Sequence, residues 1–337
     1  MNGSPDDRLD PVLAYAELRP DDILSSLDSL GFHCDGRFLA LNSYENRVYR
    51  VGVEGGEPVV AKFYRPARWS DQAILEEHHF TAELAAAEIP VVAPLAVDGR
   101  TLHHAGPFRV AVSPYRGGRA PELDQPGMLQ QLGRLVARMH LKGEAGRFGH
   151  RPTLDIESYG DDSRDYLVEQ RFIPDNLVDV YIGIVADLLD SVHDCFERAG
   201  NVREIRLHGD FHPGNVLSSL DGELHIVDLD DTRSGPALQD LWMFLSGDRS
   251  EQTPQLEALL EGYEEFRAFD ARELHLVEAL RTLRIMHYAA WVARRWDDPA
   301  FKIAFPWFNS ARYWDEHLLT LREQAALVQE LPLEWRG

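Results

Sequence analysis

The feature that most constrains this chain is a short hairpin signal, Asp221-Gly222, set between extended segments at residues 216–218 and 224–227. An Asp-Gly pair tolerates the positive φ angles of a tight two-residue turn, so the chain has to double back there. The residues just before 216 and just after 227 are thereby drawn to the same end of the hairpin. Before it stands His208-Gly209-Asp210-Phe211-His212-Pro213-Gly214-Asn215, and after it Val227-Asp228-Leu229-Asp230-Asp231. Two carboxylates and a carboxamide are thus gathered around one turn.

Phosphoryl transfer from ATP needs a carboxylate beside the acceptor hydroxyl, and oxygen ligands that hold Mg²⁺ while leaving room for phosphates and water. Asp210 suits the first role. Asn215 and Asp228 suit the second as magnesium ligands, and Asp228 counts with Asp210 as catalytic. Asp210 precedes Asn215 by five positions, the interval of the protein-kinase motif HRDxxxxN, and Asp228 stands where the DFG aspartate would. Each residue alone would pass as a turn former. Their spacing about the hairpin makes the set informative. His208 reads either as a residue that orients the loop or as a general base. Asp230 and Asp231 read as solvated turn residues or as a further metal contact, Asp230 being the better candidate.

Upstream, a helical pattern near residues 20–30 precedes strands at 47–53 and 59–64, with turn residues 54–58 between them. Residues 71–87 are rich in helix formers, begin at Ser70 or Asp71 as a cap, and stop before Pro90. Strands are expected again at 91–97 and 108–113. Val59-Val60-Ala61-Lys62-Phe63 is similar to the kinase segment VAIK, which makes Lys62 the nucleotide lysine and one glutamate of the next helix its partner. Glu76 and Glu77 are the candidates. They point about 100° apart on a helix, so one of them faces the lysine, and Glu77 is preferred. Where the kinase pattern expects its phosphate-covering loop, residues 41–48 contain Ser43 but no GxGxxG. The Ser43 hydroxyl and nearby main-chain amides can still donate to phosphate oxygens, a plain surface turn being the other reading. Residues 112–118 are placed as an interlobe hinge offering main-chain groups to adenine.

Beyond that hinge, helical spacing recurs at 127–142, 176–199, 236–246, 253–267, 271–296 and 311–330. Strands first and helices later predict an α+β chain. The expected architecture is a bilobed, protein-kinase-like fold. Its small β-rich nucleotide lobe spans 1–115 with one key helix, and its larger, mainly helical lobe spans 116–337 and carries the catalytic loop and metal site.

Lysine and arginine total 34 against 56 aspartates and glutamates, a formal net charge of -22. A nucleic-acid backbone would be repelled, so no nucleic-acid partner is expected. Two cysteines far apart suggest neither a disulfide framework nor a thiolate metal site. The fourteen histidines include no HExxH. No run approaches the roughly 18 apolar residues of a membrane span, and residues 1–10 are polar and acidic, unlike a secretory leader. A cytoplasmic protein without a membrane partner is expected.

Three strings, LHGDFHPGNVL, VDLDD and GPALQDLW, resemble the aminoglycoside phosphotransferase and choline kinase superfamily. With LNSYENRVYRV, VAKFYRP, ILEEHHF and DPAFKIAFPWF, the resemblance narrows to the bacterial stress response kinases and runs from about Leu41 to beyond Phe308. It implies a cytoplasmic, monomeric serine/threonine protein kinase that uses Mg-ATP, modifies itself and acts in stress survival. It also implies Asp210 as proton acceptor, Asn215 and Asp228 as magnesium ligands, Ser43 as an ATP-loop contact, Lys62 as the phosphate-pairing lysine, and Asp240 as a brace of the catalytic loop. A helix-start cap is the alternative for Asp240. Only seven steps separate Asp228 from Gly235, little chain for a long activation segment, which favours a small acceptor of the amino sugar, choline or homoserine type. A pseudokinase scaffold is the third reading, against which the intact Lys62, Asp210, Asn215 and Asp228 stand.

Overall fold

The computed structural model describes Tyr15 and residues 18–337. Along the chain come α1 (Pro20–Ser29), β1 (Cys34–Ala40), β2 (Arg47–Val53), β3 (Val59–Phe63), α2 (Asp71–Ala86), β4 (His103–Ala105) and β5 (Phe108–Pro114). There follow α3 (Met128–Gly143), α4 (Asp162–Glu169), α5 (Val178–Ala199), β6 (Glu204–Leu207), β7 (Val216–Ser218), β8 (Leu224–Ile226), β9 (Arg233–Pro236), α6 (Arg249–Glu264), α7 (Val277–Ala293), α8 (Pro299–Ala304) and α9 (Ala311–Leu327). They form two compact units. The first holds the described residues up to Pro121 together with Gly149–Arg151 and Gly214–Asp230; the second holds Glu122–Phe148, Pro152–Pro213 and Asp231–Gly337. The fold is α+β, a strand-rich first part followed by a helical second part.

The first unit is built on an antiparallel sheet in the order β1-β2-β3-β5-β4. Side chains alternate along β3: Val59, Ala61 and Phe63 are buried, whereas Val60 and Lys62 point to the opposite face. The buried set joins Ile23 and Leu27 of α1 with Val51, Phe108, Val110 and Val112 in one core. Lys62, paired with Ala111 of β5, is left on the face where Tyr64, Ile74, Leu102 and Ala111 pack. Helix α2 begins at Ser70, whose hydroxyl accepts from the Ala73 amide, satisfying one of the donors that every helix start leaves open.

Residues 91–97 do not form the expected strand. Two prolines, Pro90 and Pro94, lack the N–H a ladder needs, and the segment makes single contacts instead. The Val92 amide donates to the Ile226 carbonyl, the Ile226 amide to the Pro90 carbonyl, and the Leu95 amide to the Val112 carbonyl. The hairpin of β7 and β8 forms, with Val216 opposite Ile226, but its turn holds three residues and not two: the Ser219 amide donates to the Glu223 carbonyl at 2.9 Å, and within Leu220–Gly222 only Gly222, at φ +80°, has a positive φ.

In the second unit, α3 and α6 approach so closely that a Cβ on Gly133 would lie 2.0 Å from the Leu259 carbonyl oxygen, and one on Gly262 2.0 Å from that of Gln130. Glycine at both positions lets the two backbones touch. The helix expected at 236–246 is instead two 3-10 turns, Ala237–Asp240 and Trp242–Phe244, and that expected at 271–296 opens with a 3-10 turn, Ala271–Leu276, before α7. At the open start of the first, the Leu238 N–H donates to the buried carboxylate of Glu273 at 2.7 Å. Strands β6 and β9 pair antiparallel, Leu207 opposite Arg233, and set the chain leading into Asp210 beside the chain that follows Asp231.

Candidate active site

Strand β6 delivers the chain to His208, Gly209 and Asp210. The two amides entering the loop are held by one buried carboxylate, His208 N–H to Asp240 Oδ2 at 2.7 Å and Gly209 N–H to Asp240 Oδ1 at 2.8 Å. His140 Nε2 lies 3.2 Å from Asp240 Oδ2, and its Nδ1 lies 2.9 Å from the Tyr263 hydroxyl. Burial lowers the His140 pKa, with Asp240 opposing, so the ring is a neutral imidazole that donates through Nε2 and accepts through Nδ1. Gln239 completes the bracket by donating to the Gly209 carbonyl at 2.9 Å. Asp240 therefore braces the loop and does not cap a helix. Gly209 sits at φ +85°, where an added Cβ would stand 2.2 Å from the Asp231 carbonyl oxygen, so no side chain fits at that turn.

His208 is buried and rests against the Phe211 ring at 5.0 Å between centroids. Its Nδ1 accepts from the Asp210 amide at 3.4 Å, the geometry of a residue that orients the loop. The Asp210 side chain, one quarter exposed, has Arg284 Nη1 of α7 at 2.5 Å from Oδ1 and His212 Nε2 at 3.6 Å from Oδ2.

The first unit contains the other candidates. Asn215 ends the turn before β7, and its carbonyl accepts from the Val227 amide at 3.0 Å, which places Asp228 one residue beyond the position opposite Asn215. Asp228 has φ +57°, a left-handed conformation uncommon outside glycine, and its carboxylate is half exposed. Lys62 Nζ lies 3.1 Å from Asp228 Oδ1 and 3.0 Å from Asp230 Oδ1. Burial alone would lower the Lys62 pKa, but Asp230, Asp228 and Glu77 outweigh it and hold the ammonium charged. Asp230 is buried and also meets Asn46 Nδ2 at 3.0 Å and the Arg68 guanidinium. It is thus a deep counter-ion of the lysine, although the sequence ranked it as secondary.

The two glutamates divide as helix geometry requires. Glu76 turns toward residues 149–151 and accepts their three amides at 2.6, 2.8 and 2.9 Å; burial pushes its pKa up, but these bonds prevail and lower it. Glu77 is buried, and its carboxylate pairs with Arg151 Nη2 at 3.2 Å. Burial raises its pKa, against the opposing pull of Lys62 and Arg151. The Lys62 ammonium makes its ion pairs with Asp228 and Asp230, while Glu77 acts on it as a neighbouring charge. Arg151 also donates to the carbonyls of Ala73 at 2.8 Å and Asp230 at 2.6 Å, tying α2 to the segment after β8. No sequence motif marks an arginine so far from both in the chain. Ser43 lies in the connection between β1 and β2.

Among the described residues no three histidine, cysteine, aspartate or glutamate side chains cluster as a metal set. Asn215 and Asp228 bring a carboxamide and a carboxylate to one end of the hairpin, oxygen donors of the kind a hard cation takes alongside phosphate oxygens and water.

A phosphotransferase enzyme family model (APH) matches residues 37–277. Solved structures with the same fold include the amicoumacin kinase hAmiN in complex with AMP-PNP, Ca²⁺ and amicoumacin (TM-score 0.69, 19% identity, 92% of this chain and 95% of that one). A microcompartment-associated aminopropanol kinase aligns with TM-score 0.69 and 20% identity, over 90% of this chain and 96% of that one. The chain belongs to the phosphotransferase enzyme family and, within it, to the stress response kinase A group. It is 43% identical to stress response kinase A of Escherichia coli (strain K12) over 323 residues, 96% of this chain and 97% of that protein. It is 41% identical to the serine/threonine protein kinase RdoA of Salmonella typhimurium (strain LT2) over 325 residues, 96% of this chain and 98% of that protein. No helix among the described residues is long and apolar enough to cross a membrane.

Proposed function

We propose that this kinase transfers the γ-phosphate of Mg-ATP to serine and threonine hydroxyls of proteins, itself included, as part of a bacterial stress response, and that it works as a cytoplasmic monomer. The observation that carries the reading is the 41% identity, sustained over 96% of this chain, with a relative named serine/threonine protein kinase RdoA. The charge arrangement in the first unit, with Lys62 held between Asp228 and Asp230, supports the nucleotide part of it. The division into lobes at residues 115 and 116 belongs to the same proposal.

Asp210 receives the proton of the acceptor hydroxyl while that oxygen bonds to the γ-phosphorus and the bond to the departing ADP oxygen breaks. Lys62 pairs with the α and β phosphates, and Asp228, released from the lysine, is then available with Asn215 to a magnesium ion. Magnesium, when bound, would neutralise charge on the phosphate oxygens. Glu77, fixed by Arg151, keeps negative potential beside Lys62 and so holds it charged. Ser43 contributes a hydroxyl to the loop over the phosphates. His208 and Asp240 position the loop that presents Asp210.

A second reading is a small-molecule kinase. It is favoured by the short Asp228–Gly235 segment and by the structural neighbours, an amicoumacin kinase and an aminopropanol kinase. Transfer of labelled γ-phosphate decides between them, with wild type and Asp210→Ala each offered the enzyme itself, other proteins, choline, homoserine and amino sugars. Label on protein serine or threonine with wild type alone supports the first reading; rapid labelling of one small molecule supports the second. Asp210→Ala is expected to keep Mg-ATP binding and lose transfer, whereas Asp228→Ala loses magnesium-dependent binding. Full transfer by Asp210→Ala would remove the assignment, and binding of Mg-ATP without transfer to anything would revive the scaffold.

A further inference from the structure

The surroundings of Asp210 within the second unit carry a charge that the phosphotransferase chemistry does not require. Arg284 places Nη1 2.5 Å from Asp210 Oδ1, and its side chain is 37% exposed. Asp210 is its ion-pair partner among the described residues, through Nη1 and a single carboxylate oxygen, a contact that engages only part of a guanidinium with five N–H donors. The other nearby guanidinium is spent differently: Arg233 donates to the Asp231 carbonyl at 2.9 Å, pairs with Asp231 Oδ1 at 3.1 Å and covers the Tyr159 ring at 5.1 Å. His287, one turn along α7 from Arg284, stacks on Tyr159 at 4.2 Å and is neutral, its pKa pushed down by burial to about 3. Arg284 is therefore a partly exposed guanidinium at the reacting carboxylate, in a chain whose net charge is -22.

We propose that Arg284 selects the phosphate acceptor, which is a serine or threonine peptide carrying an acidic side chain beside its hydroxyl. The inference rests on Asp210 being the carboxylate that receives the hydroxyl proton. Without acceptor, Arg284 occupies Asp210 Oδ1. An acceptor carboxylate offers the guanidinium a second planar partner suited to two parallel hydrogen bonds. Arg284 swings toward it, and Oδ1 becomes available to the acceptor hydroxyl. A cationic acceptor, such as an amino sugar or choline, brings a like charge to the same place and is disfavoured. A net charge of -22 by itself would suit a cationic substrate; the residue standing at the carboxylate points the other way.

The test measures kcat/KM for serine peptides that differ only in flanking aspartate, alanine or lysine, using wild type, Arg284→Ala, Arg284→Lys and Arg284→Glu. Thermal shift with Mg-ATP checks that each variant is folded and binds nucleotide. Wild type is expected to prefer the acidic over the lysine peptide by roughly tenfold or more, the worth of a charge-assisted hydrogen bond. Arg284→Ala brings the ratio near one, Arg284→Lys keeps part of it, and Arg284→Glu turns it toward lysine. No preference in wild type, or the same preference in Arg284→Ala, overturns the proposal. If no peptide is labelled, the protein-kinase reading falls and the charge rule is read on small acceptors. There, a hydroxy acid turned over by wild type and lost in Arg284→Ala sustains the charge rule, whereas turnover of a cationic amino alcohol or amino sugar removes it. With Mg-ATP bound and no acceptor labelled, both readings fall.

Discussion

Asp240→Asn tests the claim that one buried carboxylate sets the loop presenting Asp210. In wild type, Asp240 Oδ2 accepts the His208 amide at 2.7 Å and the His140 N–H at 3.2 Å, and Oδ1 accepts the Gly209 amide at 2.8 Å. An asparagine can keep its oxygen at the Oδ2 position and satisfy two of these donors. Its NH₂ then faces the Gly209 N–H, donor against donor. One charge-assisted hydrogen bond disappears and a buried amide is left unsatisfied, a loss of about 3 kcal/mol in stability. If Gly209 retreats by about 1 Å to relieve the contact, Asp210 moves with it and kcat falls on the order of 100-fold. The KM for Mg-ATP changes little, because Lys62, Asn215 and Asp228 belong to the other unit. Denaturant unfolding and γ-phosphate transfer at saturating Mg-ATP measure the two effects. Stability within roughly 0.5 kcal/mol of wild type together with kcat within about twofold would refute the brace.

Lys62→Met removes the cation shared by Asp228 and Asp230, leaving Asp230 with Arg68 and Glu77 with Arg151. Breaking such a buried pair costs about 3–5 kcal/mol, and Mg-ATP affinity measured by calorimetry falls with it; unchanged affinity would deny Lys62 a nucleotide role. Gly209→Ala pushes a Cβ into the Asp231 carbonyl oxygen, 2.2 Å away, and transfer is expected to drop more steeply than in an alanine variant at the exposed Gly222, which a parallel assay compares. Burial raises the Glu273 pKa from 4.5 to about 7. The protonated form is favoured in the folded state, so its contribution is fully present below pH 4.5 and is lost as pH rises through 7. Stability should fall by about 3 kcal/mol across that window from this group alone. Glu273→Gln, which can still accept the Leu238 amide, should flatten the slope; an unaltered pH profile of unfolding would exclude the effect.

The local chemistry of the site was legible in the chain. An Asp-Gly turn dictates its hairpin without help, and so positions Asn215 against the start of the Asp228 segment. Alternation in Val59–Phe63 places Lys62 opposite the apolar set, and a helix capped at Ser70 follows from propensity and a serine. These are short-range rules, each satisfied within a few residues. The failures have separate causes. Strand β1 carries little alternation because most of it is exposed, so periodicity had nothing to report. At 91–97 the apolar pattern was correct, but Pro94 lacks a ladder donor; near 237–244 the apolar spacing is met by two short 3-10 turns, which periodicity does not separate from one helix. What tertiary structure alone decided is the identity of partners: which carboxylates meet Lys62, that Arg151 fixes Glu77, that Asp240 holds two loop amides, that Arg284 stands at Asp210. Such pairs join residues tens to more than a hundred positions apart. Charge and burial select them only once the backbone has brought them within a few ångströms, and no local spacing encodes that approach.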